Sequence, residues 1–262
     1  MKKEDLKNFP HLFSNISNWV EYTFYKGERN KRNLRFVTKP NKIRFEVTPT
    51  SYWVFKEVFV EDFYNIRELL KKVPEAPLVI DVGANAGYFD VLLLSKRKNA
   101  RIIAFEPLAN NKAYIQRMID ANPALQNQLT VHQKAVTGTP VDHIKLYMED
   151  TAQNTEIASI YASFDPRNTR TVEVPAVTLS SVIREHAQVD LLKMDCEGSE
   201  YDILYNTPAE DLKRVKLMAL EVHQMQGEGQ NLEALDAFLK GHGFTTVSTP
   251  ITKETYYLEA YA

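Results

Sequence analysis

The chain has 262 residues, 44% of them hydrophobic, and a formal net charge of -2, enough to bury one large core without a second full domain. So even a charge balance excludes a global field that recruits nucleic acid or an anionic membrane. The single cysteine, Cys196, excludes an intrachain disulfide and a cysteine-based zinc site. No window is long and apolar enough to span a bilayer and the amino terminus lacks a signal-peptide core, so a cytoplasmic protein is expected.

In chain order, apolar periodicity predicts an amphipathic helix near residues 9–24, a strand at 44–47 and a second helix at 59–73, closed by Pro74 and Pro77. Between the first two lies a basic stretch, with Lys26, Arg29, Lys31, Arg32, Arg35, Lys39, Lys42 and Arg44 against one acid, Glu28. From Pro77 onward strand and helix patterns alternate, which places a boundary between an N-terminal extension (1–76) and a main domain (77–262). Strands are predicted at 78–82, 101–105, 129–136, 189–194 and 215–222, with helices at 88–94 and 231–240. Segments 243–247 and 255–260, joined by a short link, suit an antiparallel pair at the sheet edge. Residues 137–171, with Ser159, Tyr161 and Ser163 in their middle, read as an excursion over the ligand face or as a long hairpin. This βαβ periodicity predicts a doubly wound α/β sheet.

The first of these strands runs into Asp81-x-Gly83-x-Asn85-x-Gly87 and opens a helix. Glycines there let backbone approach a ligand, and the new helix offers free N–H groups. The third glycine of a dinucleotide fingerprint is missing, which disfavours an NAD-dependent oxidoreductase. Asp81 accepts from an amino group or orders the turn. Glu106, ending the next strand, stands where both ribose hydroxyls of an adenosine-containing ligand are bound. The alternative is a structural turn with a surface glutamate.

Four motifs carry a resemblance: VIDVGANAGYF (79–89), AFEP (104–107), LLKMDCEGSEYDIL (191–204) and LEVH (220–223). In them the chain resembles the FkbM-type methyltransferases, which use S-adenosylmethionine. The Lys-x-Asp-x-Glu-Gly-x-Glu element is the most specific. The resemblance implies a Rossmann-like class I methyltransferase fold: a seven-stranded, mostly parallel sheet with an antiparallel edge strand, helices on both faces, and an N-terminal extension. It also implies that Gly83, Ala84, Asn85, Gly87 and Tyr88 surround the methionine and ribose part of the cofactor, with Asp81 beneath the turn. Glu106 takes the ribose hydroxyls, and Pro107 beside it also belongs to the cofactor site. Ala135 lies near the adenine, where many relatives have an acid and this chain has Gln133-Lys134-Ala135.

The segment Lys193 to Glu200 then becomes the reacting edge. An alcohol needs a base, and Asp195, beside the cofactor, is the leading candidate, with Glu197, Glu200, Glu221 and His223 as neighbours that hold the acceptor or tune it. Each has a structural alternative: Asp195 and Glu197 stabilise a helix start, Glu200 partners Lys193, and His223 is an ordinary satisfied polar residue. Asp195, Glu221 and His223 also form a candidate set for a divalent metal, without a dedicated motif. The basic stretch is either a solvated hairpin or a site for an anionic acceptor such as a nucleotide-linked sugar or acidic glycan. Trp53, Tyr64 and Tyr88 either stack on a sugar or belong to the core. The function expected is O-methylation of a hydroxyl on a small-molecule acceptor: a sugar, glycan or secondary metabolite. An N-methyltransferase and a non-catalytic adenosine-binding module are the alternatives. No nucleic-acid partner is expected.

Overall fold

The computed structural model describes residues 10–25, 27, 29, 31–149 and 158–262. Its strands are β1 (Leu34–Val37), β2 (Arg44–Val47), β3 (Leu78–Val82), β4 (Arg101–Phe105), β5 (Leu129–His132), β6 (Ala135–Thr137), β7 (His143–Met148), β8 (Ala158–Ser159), β9 (Arg170–Thr178), β10 (Leu191–Met194), β11 (Leu217–His223), β12 (Thr245–Pro250) and β13 (Thr255–Tyr261). Seven of them form one sheet in the order β12-β13-β11-β10-β3-β4-β5. All neighbours from β11 to β5 are parallel, and β13 pairs antiparallel with both β11 and β12. The antiparallel strand thus sits one position in from the edge, with β12 outside it. This is the Rossmann-like class I methyltransferase architecture.

Strand alternation divides the core. Val79, Ile102, Leu191 and Leu217 face one side, where the helices Tyr88–Lys96 and Ala109–Asp120 pack. Ile80, Ile103, Leu192 and Met218 face the other, under the helices Leu179–Arg184, Glu200–Tyr205 and Leu232–Gly241. Both faces are covered, so the central strands read as continuous apolar runs.

The helix Tyr88–Lys96 is buried from Tyr88 through Ser95, all the way round. A helix apolar on every side needs a second cover besides the sheet, and the N-terminal residues supply it. Phe36 and Phe45 of the antiparallel β1–β2 hairpin join Phe55 and Phe59 in an aromatic cluster closed by Tyr88. The extension and one face of the sheet therefore share a single core.

Several expected elements are redrawn. Position 9 of the first predicted helix lies outside the described residues. The remainder is two helices, residues 10–15 and Val20–Tyr25, with a bridge from Ile16 to Thr38 between them. The predicted 59–73 helix is a π-helix, Lys56–Glu61, and a short α-helix, Ile66–Leu69, broken where Asp62 and Asn65 adopt φ of 52° and 45°. The 129–136 strand splits at Gln133-Lys134: β5 stays in the main sheet while β6 crosses to a second sheet, β6-β9-β7-β8. That sheet contains the predicted hairpin as the antiparallel β7–β9 pair; positions 150–157 lie outside the described residues, as do Lys26 and Glu28 of the basic stretch. No helix among the described residues is long and apolar enough to cross a membrane.

Because Phe55 is fully buried in the shared cluster, Phe55→Ala is expected to destabilise the protein by about 3–5 kcal/mol. Chemical denaturation followed by fluorescence and by circular dichroism should show one coincident, shifted transition.

Candidate active site

Strands β3, β4 and β10 end at one edge of the sheet, and the turns that follow β3 and β10 touch. Gly83 has φ of +80°, and a Cβ on it would stand 1.8 Å from the carbonyl oxygen of Asp195. The register places Lys193 beside Asp81. Its ammonium pairs with Asp81 Oδ1 at 3.1 Å and donates to the Gly83 carbonyl at 2.8 Å. Burial opposes the charge, yet Asp81 and Asp195 hold the Lys193 pKa above the ordinary lysine range. Asp90 lies on the same side: burial, then the adjacent Asp81 carboxylate, push its pKa well up. Neither Asp90 carboxyl oxygen has a hydrogen-bond donor among the described residues.

The cleft above these turns is lined by Gly83, Asn85, Glu106, Pro107, Ala135 and Asp195, six of the residues expected to bind the cofactor. The other four lie elsewhere. Asp81 is beneath the turn on Lys193. Ala84 is buried, its N–H on the Phe105 carbonyl. Gly87, at φ +72°, caps the start of the helix, and a Cβ on it would crowd Ile115 and Met118. Tyr88 is a core residue, sharing hydroxyl contacts with Ser51 and Tyr114.

Glu106 is buried, with Oε2 accepting from the Asn85 N–H and Oε1 from the Leu108 N–H, both at 2.8 Å. Burial pushes its pKa up to about 7, against the pull of those two bonds and of Asn111. A buried carboxylate already fixed by two backbone donors is a rigid acceptor for a pair of hydroxyls. Beyond it the cleft becomes apolar, with Leu108, Val136, Leu146, Ala158 and Ile160 forming walls suited to a flat base.

At the other end are the carboxylates. His223, at the end of β11, is surrounded: Nε2 is 3.4 Å from Glu197 and 3.5 Å from Glu221, and Nδ1 is 3.4 Å from Glu200. Burial opposes protonation, but Glu200 and Glu221 raise its pKa to about 12, so the ring is an imidazolium. Burial and then Glu221 raise Asp195 to about 7. Burial and Asp195 push Glu197 well above the usual carboxylate range. Glu200 does not partner Lys193; it is fully buried and accepts from the Cys196 N–H at 3.0 Å, fixing its own turn. Asp195 and Glu197 line the cleft, whereas Glu200, Glu221 and His223 stand behind them. Glu197 holds φ of 53° and Asn85 50°, so both turns carry a non-glycine residue in the left-handed region.

The profile of the methyltransferase FkbM domain matches residues 81–246. This chain belongs to the FkbM methyltransferase family. Among its relatives are methyltransferase sdnD of Sordaria araneosa, 28% identical over 73% of this chain and 81% of that protein, and the 31-O-demethyl-FK506 methyltransferase FkbM of Streptomyces tacrolimicus, 26% identical over 75% and 82%. The AMB antimetabolite synthetase AmbE of Pseudomonas aeruginosa is 28% identical over 73% of this chain, which spans 10% of its length. A solved structure of methyltransferase FkbM from Methylobacillus flagellatus is similar at 18% identity, covering 71% of this chain and 44% of that one, with a TM-score of 0.48.

This FkbM methyltransferase uses S-adenosylmethionine, and the cleft fits it by chemistry: a close-approach turn, a buried carboxylate for the ribose, and apolar walls. Sequence reasoning missed Asn111, in the first turn of the helix Ala109–Asp120, and the cover from Leu146, Ala158 and Ile160. Position relative to Pro107 was an available signal for Asn111. None existed for the cover, because those residues sit in a second sheet whose register only the folded chain defines. Tyr64 also reaches the site from the extension, its hydroxyl 3.5 Å from Asp195 Oδ2. Trp53 remains exposed on the surface, with Lys56 over its ring.

Ionised Glu106 is the better acceptor for ribose hydroxyls, so affinity for S-adenosylhomocysteine should fall as pH drops through about 7. In Glu106→Gln that pH dependence should flatten at a weaker overall affinity, read by calorimetric titration at several pH values. Gly83→Ala introduces both backbone strain and a clash with Asp195, and should weaken the same binding by about tenfold or more, a cost of roughly 1.4 kcal/mol or above.

Proposed function

We propose that this methyltransferase transfers the methyl group to a hydroxyl of an uncharged small-molecule or glycan acceptor, with Asp195 as the general base. S-adenosylmethionine supplies an electrophilic methyl on a sulfonium. The acceptor oxygen bonds to that carbon as the carbon–sulfur bond breaks, and the hydroxyl proton passes to Asp195. The observation that carries this reading is the setting of Asp195: a carboxylate at the meeting point of both turns, lining the cleft, with burial and Glu221 bringing it near the operating pH of a base. Lys193 and His223 supply positive charge that keeps a useful fraction of it ionised.

Asp195 and Glu197 line the acceptor end of the cleft, so an anionic acceptor group would meet the ionised carboxylate that the base role of Asp195 requires. An anionic acceptor held by the basic hairpin fits poorly, because Arg35 and Arg44 line a different groove that shares no residue with the cleft. One relative is named for acting on an O-demethylated compound, which supports oxygen over nitrogen. An amine acceptor remains the N-methyl variant of the same geometry.

A divalent ion is a second reading. One ligand atom each from Asp195, Glu197 and His223 lie within 4.8 Å of one another. Glu197 thereby takes the place expected for Glu221. The ion would have to displace the imidazolium proton, and activity that survives thorough chelation removes this reading.

Asp195→Asn should lower kcat by about 10²–10⁴-fold while leaving S-adenosylhomocysteine affinity within about twofold, a change of roughly 0.4 kcal/mol. Wild-type activity should rise with pH through about 7, as the base ionises, and the variant should lose that limb. An acceptor screen across sugars, glycans and amines provides the assay; unchanged turnover in the variant would remove Asp195 from this role.

A further inference from the structure

The basic stretch has a structural role that the methyl-transfer site leaves unexplained. The β1–β2 hairpin and the helix Ala109–Asp120 enclose a groove of about 360 Å³, sharing no residue with the cofactor cleft. The hairpin contributes Arg35, Val37, Arg44 and Glu46, which cross-strand pairing puts on one face while Phe36 and Phe45 turn to the core. From the helix side come Tyr114, Arg117, Met118 and Ala121, spaced to share one helical face.

The two walls are tied together at both ends. Tyr114 donates to the Glu46 carbonyl. At the other end Asn122 accepts from the Arg44 N–H at 2.8 Å and donates to the Arg44 carbonyl at 2.7 Å. The groove is thus preformed, and its volume lies within the range of about 300–1,000 Å³ typical of small-molecule sites. Its charge is unbalanced. Glu46 answers Arg35 at 2.9 Å, whereas neither Arg44 nor Arg117 forms an ion pair among the described residues; Arg117 lies only against the Tyr114 ring, 5.7 Å from its centroid.

We propose that this groove binds an organic anion with an apolar body, a carboxylate or a phosphate monoester. Arg44 and Arg117 take the charge, and Val37, Met118 and Ala121 take the apolar part. Guanidinium groups recognise either anion through paired N–H donors. The uncompensated arginines select against neutral apolar ligands, and the apolar floor selects against bare inorganic ions.

Calorimetric titration of the full chain with octanoate, octyl phosphate and octanol, each below its micellar range, tests this. Saturable one-to-one binding of either anion, with octanol at least about tenfold weaker, is expected, and the tighter of the two anions identifies the headgroup. Arg44→Gln/Arg117→Gln should weaken it about tenfold or more with the melting temperature of the ligand-free protein unchanged. Ala121→Trp, which fills the groove without altering charge, should do the same and keeps the test open if the double variant is unstable. Equal binding of octanol, full binding by both variants, or no saturable binding would overturn the proposal.

Discussion

Two loops from different strands can touch at the sheet edge because Gly83 has no side chain. Any other residue would drive a Cβ into the Asp195 carbonyl, and the turn after β3 would separate from the turn after β10. Lys193 locks the contact from below by holding Asp81 and the Gly83 carbonyl at once. A single buried ammonium therefore ties the turn after β3 to the strand that leads into the turn carrying Asp195. Removing one partner of such a pair leaves an unpaired buried charge, which makes the contact costly to break. Each of the two touching turns also carries a non-glycine residue in the left-handed region, Asn85 in one and Glu197 in the other.

The same low-dielectric setting organises the chemistry. Glu197, Glu200 and Glu221 surround the His223 ring, and burial together with these neighbouring carboxylates raises the pKa values of Asp195 and Glu197. His223 is thereby a counter-ion rather than a base, and Glu200 a brace for its own turn. What is left facing the cleft is Asp195, with a pKa of about 7, and Glu197, whose pKa burial and Asp195 push upward. Glu106 uses the same physics for a different purpose: two backbone donors fix its carboxylate while burial leaves its charge sensitive to pH near 7.

The N-terminal extension follows from the helix Tyr88–Lys96. Its all-round apolar surface cannot face solvent, and the aromatic cluster of Phe36, Phe45, Phe55 and Phe59 covers it. That helix was legible in the sequence as an apolar run, as were all five parallel strands, because β-branched runs buried on both faces carry a strong local signal. The break after His132 was not legible: polar Gln133 and Lys134 are equally compatible with a continuous half-exposed strand, and pairing with β9 is what takes Ala135 out of the main sheet. The long 59–73 helix failed for a local reason, since Asp62 and Asn65 adopt left-handed torsions that no periodicity reveals.

By itself the sequence determined the class of sheet, the position of the glycine turn, an acid at the end of β4 in Glu106 and the identity of the carboxylates after β10. Those are properties of residue type and spacing along one strand and its turn. Tertiary structure alone decided the roles within that set: that Tyr88 and Gly87 serve the core, that Asp81 rather than Glu200 holds Lys193, and that Glu200 and His223 stand behind the cleft. Tertiary structure also delivered Tyr64, Leu146, Ala158 and Ile160 to the site from distant segments. The physical reason is the same throughout: burial and the sign of the nearest charge fix what an ionisable group does, and both depend on which strands become neighbours.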